Sequence, residues 1–161
     1  MAGKVKPVPE GTHTITAHLS VREAAKAIEF YQQAFGAQLL FVHKMPDGKV
    51  MHATLKIGDS RLMLADEFPG GTPSPQTVGG SPVVLNIYVE DVDALWHCAV
   101  AAGAKVTMPL ANQFWGDRYG QITDPFGHSW ALLSHVEDVP REEMERRANA
   151  IFSEMAKKAG T

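Results

Sequence analysis

Between residues 14 and 21 apolar and polar positions alternate, the period of a half-buried strand. From Arg22 to Phe35 the rhythm changes. Ala24, Ala27, Ile28, Tyr31 and Phe35 recur at helical spacing, and Gly36 supplies a C-terminal stop. Leu39-Leu40-Phe41-Val42 reads as a strand, and Met45-Pro46-Asp47-Gly48-Lys49 as a tight turn. Met51 to Ile57 and Arg61 to Ala65 form two further strands around Gly58-Asp59. The order is β-α-β-β-β. The stretch Phe68 to Pro82 carries four prolines and four glycines, so no regular structure is expected there. A second series follows: a strand over 83–89, a helix over about 91–102, and strands over 104–109, about 118–124 and 128–135. A loop, Leu110 to Asp117, is inserted before its third strand. Last comes an amphipathic helix within Pro140 to Ala159, with Met144, Ala148, Ile151, Phe152, Met155 and Ala159 on one face.

The two series are offset by a near-constant distance. Val21 and Val89 are 68 apart (89 − 21), Gly36 and Gly103 are 67 apart (103 − 36), and Gly58 and Gly127 are 69 apart (127 − 58). One supersecondary unit written twice is the expectation, with a concavity between the copies. Such interfaces are common ligand sites.

Composition narrows the classes. A length of 161 residues fits one domain, and a hydrophobic fraction of 45% is enough for a core. The net charge of −3 gives no basic footprint for nucleic acid. Cys98 is the one cysteine, so no internal disulfide forms and a reducing, cytoplasmic setting is expected. The first residues lack an apolar leader pattern, and no apolar run is long enough to span a membrane.

Certain motifs resemble a known family. Val21-Arg22-Glu23-Ala24 through Phe35-Gly36, and Val89-Glu90-Asp91-Val92-Asp93 through Ala102-Gly103-Ala104, look like the two module openings of the vicinal oxygen chelate superfamily. Glyoxalase I, extradiol dioxygenases and the fosfomycin and bleomycin resistance proteins belong to that superfamily. Asp124-Pro125-Phe126-Gly127-His128 resembles its turn before the last strand. Met51-His52-Ala53, Leu62 to Asp66, Gln113 to Arg118 and His135 to Asp138 are similar to its PhnB-like subgroup. The resemblance implies an α+β fold: two tandem βαβββ modules, about 12–66 and 83–135, joined by a linker over 67–82. It also implies an open curved-sheet barrel around a shared cavity. A C-terminal helix over about 140–159 completes the expected single domain. Homodimerisation is implied as well, because the family usually builds its cavities in dimers.

In metal-dependent relatives, His, Gln or Glu stands on the first and last strand of each module. Here those positions fall on Thr16, Leu62, Val84 and Ala131. No divalent-metal site and no cofactor are therefore expected. A displaced set, His52, Asp66 and His135, is the metal alternative. The ligand-binding candidates are His18, His52, Asp66, Trp115 and Arg118. An imidazole, a carboxylate, an indole and a guanidinium around one pocket suit a planar or anionic small molecule. The expected function is small-molecule binding without the family metal. The alternative is a glyoxalase-like lyase, isomerase or dioxygenase-type enzyme using His and acid chemistry or a displaced metal.

Overall fold

A computed structural model describes residues 5–159. Its elements are β1 (Ala17–Val21), α1 (Ala24–Phe35), β2 (Gln38–Lys44), β3 (Val50–Ile57), β4 (Ser60–Asp66) and α2 (Pro75–Val78). They continue with β5 (Val84–Tyr88), α3 (Val92–Ala101), β6 (Lys105–Asn112), β7 (Asp117–Thr123), β8 (Ser129–His135) and α4 (Arg141–Ala159). The strands form two four-stranded sheets, ordered β1-β4-β3-β2 and β5-β8-β7-β6. Both pair their first and last strands in parallel and the others antiparallel. This is the doubled βαβββ order expected from the repeat. No closed barrel forms, because β1 and β5 are edge strands of separate sheets.

Alternation gives each sheet two different faces. In the first sheet Leu19, Val21, Ala53, Leu55, Leu62 and Leu64 point toward α1 and are buried. In the second, Ile122, Trp130 and Leu132 do the same toward α3. These sets join in one hydrophobic cluster. Tyr31 and Phe35 of α1 lie against Trp130 of β8, with ring centroids 5.4 and 4.8 Å apart. Helix α3 approaches its sheet closely: a Cβ on Gly120 would sit 2.5 Å from the Trp96 ring, so glycine is required there.

A buried carboxylate joins the halves. Asp124 accepts hydrogen bonds from the Tyr31 hydroxyl (2.7 Å), Trp130 Nε1 (2.8 Å) and the Phe126 and His128 amides (2.9 and 3.0 Å). His128 Nε2 reaches the Ser20 carbonyl at 3.1 Å, which makes it a second link between the halves.

Two elements differ from expectation. The Pro- and Gly-rich linker holds the short helix α2. Pro75 stands in its first turn, where a missing N–H costs nothing, and Gly79 closes it at φ 89°. Glu67 holds this helix in place through hydrogen bonds from Ser74 and Thr77. The expected loop Leu110 to Asp117 is also shorter, since β6 runs on to Asn112. Pro109 cannot donate to the ladder, and the register slips between Val106 and Ala111. Pairing with β7 then resumes at Ala111 opposite Tyr119.

Candidate functional site

The face of each sheet away from its helix, here termed the open face, is exposed only in part: Ala131 and Leu133 on it are 0% and 2% exposed. The residues on it follow from register. In the first sheet His18 lies opposite Met63, and Met63 opposite Thr54, so the three share the open face. His52, two residues before Thr54, joins them, and its Nε2 lies 3.1 Å from the Thr54 hydroxyl. The His18 and His52 rings are 5.9 Å apart, and Phe41 of β2 lies 6.3 Å from His52. Desolvation by partial burial, reinforced by His52, holds the His18 imidazole below its usual pKa. His18 is therefore neutral near pH 7, with one ring nitrogen accepting and one donating.

The second sheet's open face carries different chemistry. Asp117 lies opposite His135, and Tyr119 opposite Leu133. Asp117 is 7% exposed and accepts from Trp115 Nε1 at 2.9 Å and from His135 Nδ1 at 2.8 Å. The other His135 nitrogen meets Asp138 at 2.9 Å. Hydrogen bonds donated to Asp117 and then Asp138 raise the His135 pKa. The Trp115 indole stands edge-on to Tyr119 and to Phe114.

The five candidate residues thus separate. His18 and His52 come together. Trp115 sits in the β6–β7 turn of the other half, and no hydrogen bond or ring contact joins it to either histidine among the described residues. Arg118 neighbours Tyr119 in β7 and so points the opposite way, toward α3. Its guanidinium donates to Asp93 from Nε at 2.8 Å and from Nη2 at 2.6 Å. Asp66 also faces its helix and accepts from the Ala24 amide (2.9 Å) and the Val50 amide (2.7 Å). Asp66 therefore fastens the start of α1 to β3 and is not presented on the open face.

The same register corrects the metal positions. Trp130, not Ala131, corresponds to Leu62, since each lies opposite the first core residue of its half's first strand (Leu85 and Ala17). The open-face counterpart of Ala131 is Met63. A threonine, a valine, a methionine and an alanine at the four positions do not make the donor set of a divalent cation. The displaced set fails differently. Asp66 is taken up by two amides, and the described residues hold no group of three His, Cys, Asp or Glu side chains placed for a metal ion.

Phe41, Met63, Tyr88 and Asp117 are open-face residues that the pattern did not single out. Only the alternation parity of each strand, counted from a buried core residue, could have found them. The shared cavity also has an unexpected lining. It has a volume of about 720 Å³ and lies between β1 and β5, with Phe35 and Trp130 at its base. None of the five candidates lines it.

Similar proteins agree with this architecture. Uncharacterized proteins of Mycobacterium bovis and Mycobacterium tuberculosis are 44% identical over 135 residues, covering 81% of this chain and 89% and 79% of theirs. YjdN of Escherichia coli is 28% identical over 136 residues, 72% of this chain and 90% of that protein. Among solved structures, TioX from Micromonospora superposes with a TM-score of 0.62 at 25% identity, covering 77% of this chain and 99% of TioX. A PhnB protein from Bacillus cereus has the same fold, with a TM-score of 0.60 at 23% identity, covering 76% of this chain and 99% of that one. Residues 12–132 match the family model of the Glyoxalase/Bleomycin resistance protein/Dioxygenase superfamily, and the chain belongs to that superfamily.

Proposed function

We propose that this protein binds a small planar organic molecule on the open face of its first sheet, without a resident metal ion. The observation that carries this reading is the ring cluster of His18, His52 and Phe41. The two imidazoles and the phenyl ring gather outside the hydrophobic core cluster. A neutral His18 offers one hydrogen-bond donor and one acceptor beside apolar ring surface, which suits an aromatic compound with a polar substituent. Metal-dependent chemistry finds no matching donor set at Thr16, Val84, Met63 and Ala131.

A homodimer belongs to the same reading. Phe152 and Met155 of α4 are 58% and 61% exposed, although both lie on the helix's apolar face. A second copy would cover them. Light scattering at micromolar concentration should give twice the chain mass, and a monomer would contradict the dimer.

The enzyme alternative rests on the neutral His18, which could take up a proton as a general base. A thermal-shift screen of planar phenols, quinolines and anthraquinones would find the ligand class. His52→Ala and Phe41→Ala should each weaken the best hit about tenfold, or about 1.4 kcal/mol. Metal analysis of protein purified without chelator should give far less than one equivalent. The hemithioacetal of methylglyoxal and glutathione should not be turned over. One bound zinc, nickel or iron per chain, with activity lost on chelation, would replace binding by catalysis.

A further inference from the structure

Helix α4 is lightly held to the body. None of residues 141–158 is buried, and Phe152 and Met155 on its apolar face are exposed. The Arg147 guanidinium donates to Glu137 from Nη1 and Nη2, at 2.9 and 2.8 Å. The Phe152 ring stands edge-on to Phe114, with centroids 6.4 Å apart. A helix with so little packing depends on the connector that positions its start.

That connector, residues 136–140, lies across the turn between β6 and β7. The Val136 and Glu137 amides both donate to the Gly116 carbonyl, at 2.9 and 3.0 Å. Gly116 has φ 101°, and a Cβ there would strike the Glu137 carbonyl, so the two segments meet backbone to backbone. His135 bridges the same two segments. Its Nδ1 meets Asp117, at the end of the turn, at 2.8 Å, and its Nε2 meets Asp138 of the connector at 2.9 Å. Glu137, between them, turns to Arg147. Tyr88 of β5 adjoins Asp117; desolvation and then that carboxylate raise its pKa, so the phenol is neutral at neutral pH.

Two carboxylates on the two ring nitrogens decide the chemistry. An imidazolium donates from both nitrogens, whereas a neutral imidazole has one N–H and donates to one carboxylate only. Asp117 is buried, and leaving it without that donor is costly. Asp138 is fully exposed and can turn to water. The bond to Asp138 is therefore the one that a lost proton breaks.

We propose that His135 is a proton-operated latch on α4: protonated, it clasps the connector to the β6–β7 turn, and on losing its proton it lets Asp138 go and loosens the helix. Loosening uncovers Phe114, which stands edge-on to both Trp115 and Phe152. The hydrogen bonds to Asp117 and then Asp138 set the release above the ordinary histidine midpoint. His18 and His52 lie on the other sheet and take no part, so the latch and the proposed ligand site can fail separately.

Backbone hydrogen exchange of the full chain tests the latch, read as protection factors so that the intrinsic pH dependence of exchange cancels. Between about pH 6 and pH 9 the α4 amides should lose about fivefold in protection, the scale of one exposed ion pair, while those of β3 keep theirs. Asp138→Ala should give the lower protection throughout, with no pH dependence. Asp138→Asn should not lose protection as pH rises, because its carboxamide N–H donates to the bare Nε2 of the neutral ring. The full exposure of Asp138 makes both variants safe for folding. Constant α4 protection across that range in the wild-type chain would overturn the proposal. So would a wild-type fall in Asp138→Ala.

Discussion

The two halves begin their main helices with different chemistry at the same place. In the first half Glu23 precedes α1 in the left-handed region, at φ 61°, and makes no side-chain cap. Such a conformation costs a non-glycine residue about 1–3 kcal/mol. The missing cap is supplied from β4, where Asp66 accepts the Ala24 amide. In the second half Asp91 caps locally by accepting from the Ala94 amide, and β8 contributes only a hydroxyl. That hydroxyl, on Ser134, accepts from the Val92 amide at 3.1 Å and donates to the Val89 carbonyl at 2.6 Å. Asp66 and Ser134 are therefore counterparts. The repeat preserves the position from which a strand holds a helix start, and leaves the chemistry of the hold free to change.

The open faces diverge further. His18 and His52 in the first half correspond to Asn86 and Tyr119 in the second, by the register of their sheets. The second face is knitted together through Trp115, Asp117, His135 and Asp138. On the first, the Ser20 hydroxyl donates to the Thr72 carbonyl and Arg61 to Thr12. Among the described residues, however, the ring cluster itself has only the His52–Thr54 hydrogen bond and stays partly exposed. Partly exposed polar rings held by so few hydrogen bonds are the better candidates for recognition.

The asymmetry is sharpest at the last turn. Asp124 receives four hydrogen bonds at 4% exposure, and the residue in its place in the first half is Ile57. Asp124→Ala would strand two backbone amides, a phenol and an indole at the contact between halves. A loss of about 4 kcal/mol is expected. For a chain of this size that lowers the melting temperature by about 10 °C. Tyr31→Phe, which removes only the link to the first half, should cost about 1.5 kcal/mol. Equal costs for the two variants would mean that Asp124 acts through its bond to Tyr31 alone and that the turn does not depend on it.

A smaller difference should separate the helix holds. Asp66→Ala leaves two amides without their charged acceptor and should cost about 3 kcal/mol. Ser134→Ala leaves α3 with its Asp91 cap and should cost about 1.5 kcal/mol. Urea denaturation of both variants would measure this. A larger loss for Ser134→Ala would break the equivalence drawn from the sheet register.

The repeat, the order of elements and the helix limits could be read from the sequence, because periods of 2 and 3.6 persist over whole segments. The faces were harder, since one residue of error inverts them. Counting from the turn glycines matches Asp66 with His135 and Leu62 with Ala131. The β7–β8 connection, however, holds one residue more than the β3–β4 connection. Lys56 pairs with Arg61 across residues 57–60, and Thr123 with Ser129 across residues 124–128. That one residue turns His135 to the open face while Asp66 faces the helix. Arg118 was misplaced for a related reason. The strand expected over about 118–124 begins at Asp117, and the parity of its side chains was not counted: Asp117 and Tyr119 take the open face and Arg118 between them the other. The pairing of His18 with His52 could not be read at all, because it depends on β1 and β3 lying on either side of β4.

The smallest expected effect is in the titration of the two open faces. Burial and then His52 lower the His18 pKa, whereas hydrogen bonds to Asp117 and then Asp138 raise that of His135. The signs for stability are opposite. Below about pH 6.5 the unfolded chain protonates at residue 18 more readily than the folded chain, so His18 favours folding more as pH rises through that range. His135 binds its proton more tightly when folded. Its contribution is full below about pH 6.5 and is lost as pH rises through its raised folded pKa. Ring-proton resonances followed by NMR should therefore show His18 titrating below the usual histidine midpoint and His135 above it. His52→Gln should move His18 only part of the way back, because burial is the larger cause. Asp138→Asn should lower His135 but leave it above the usual value, because Asp117 is the principal partner. Two histidines titrating together at the unperturbed value would show that the open faces are electrostatically alike.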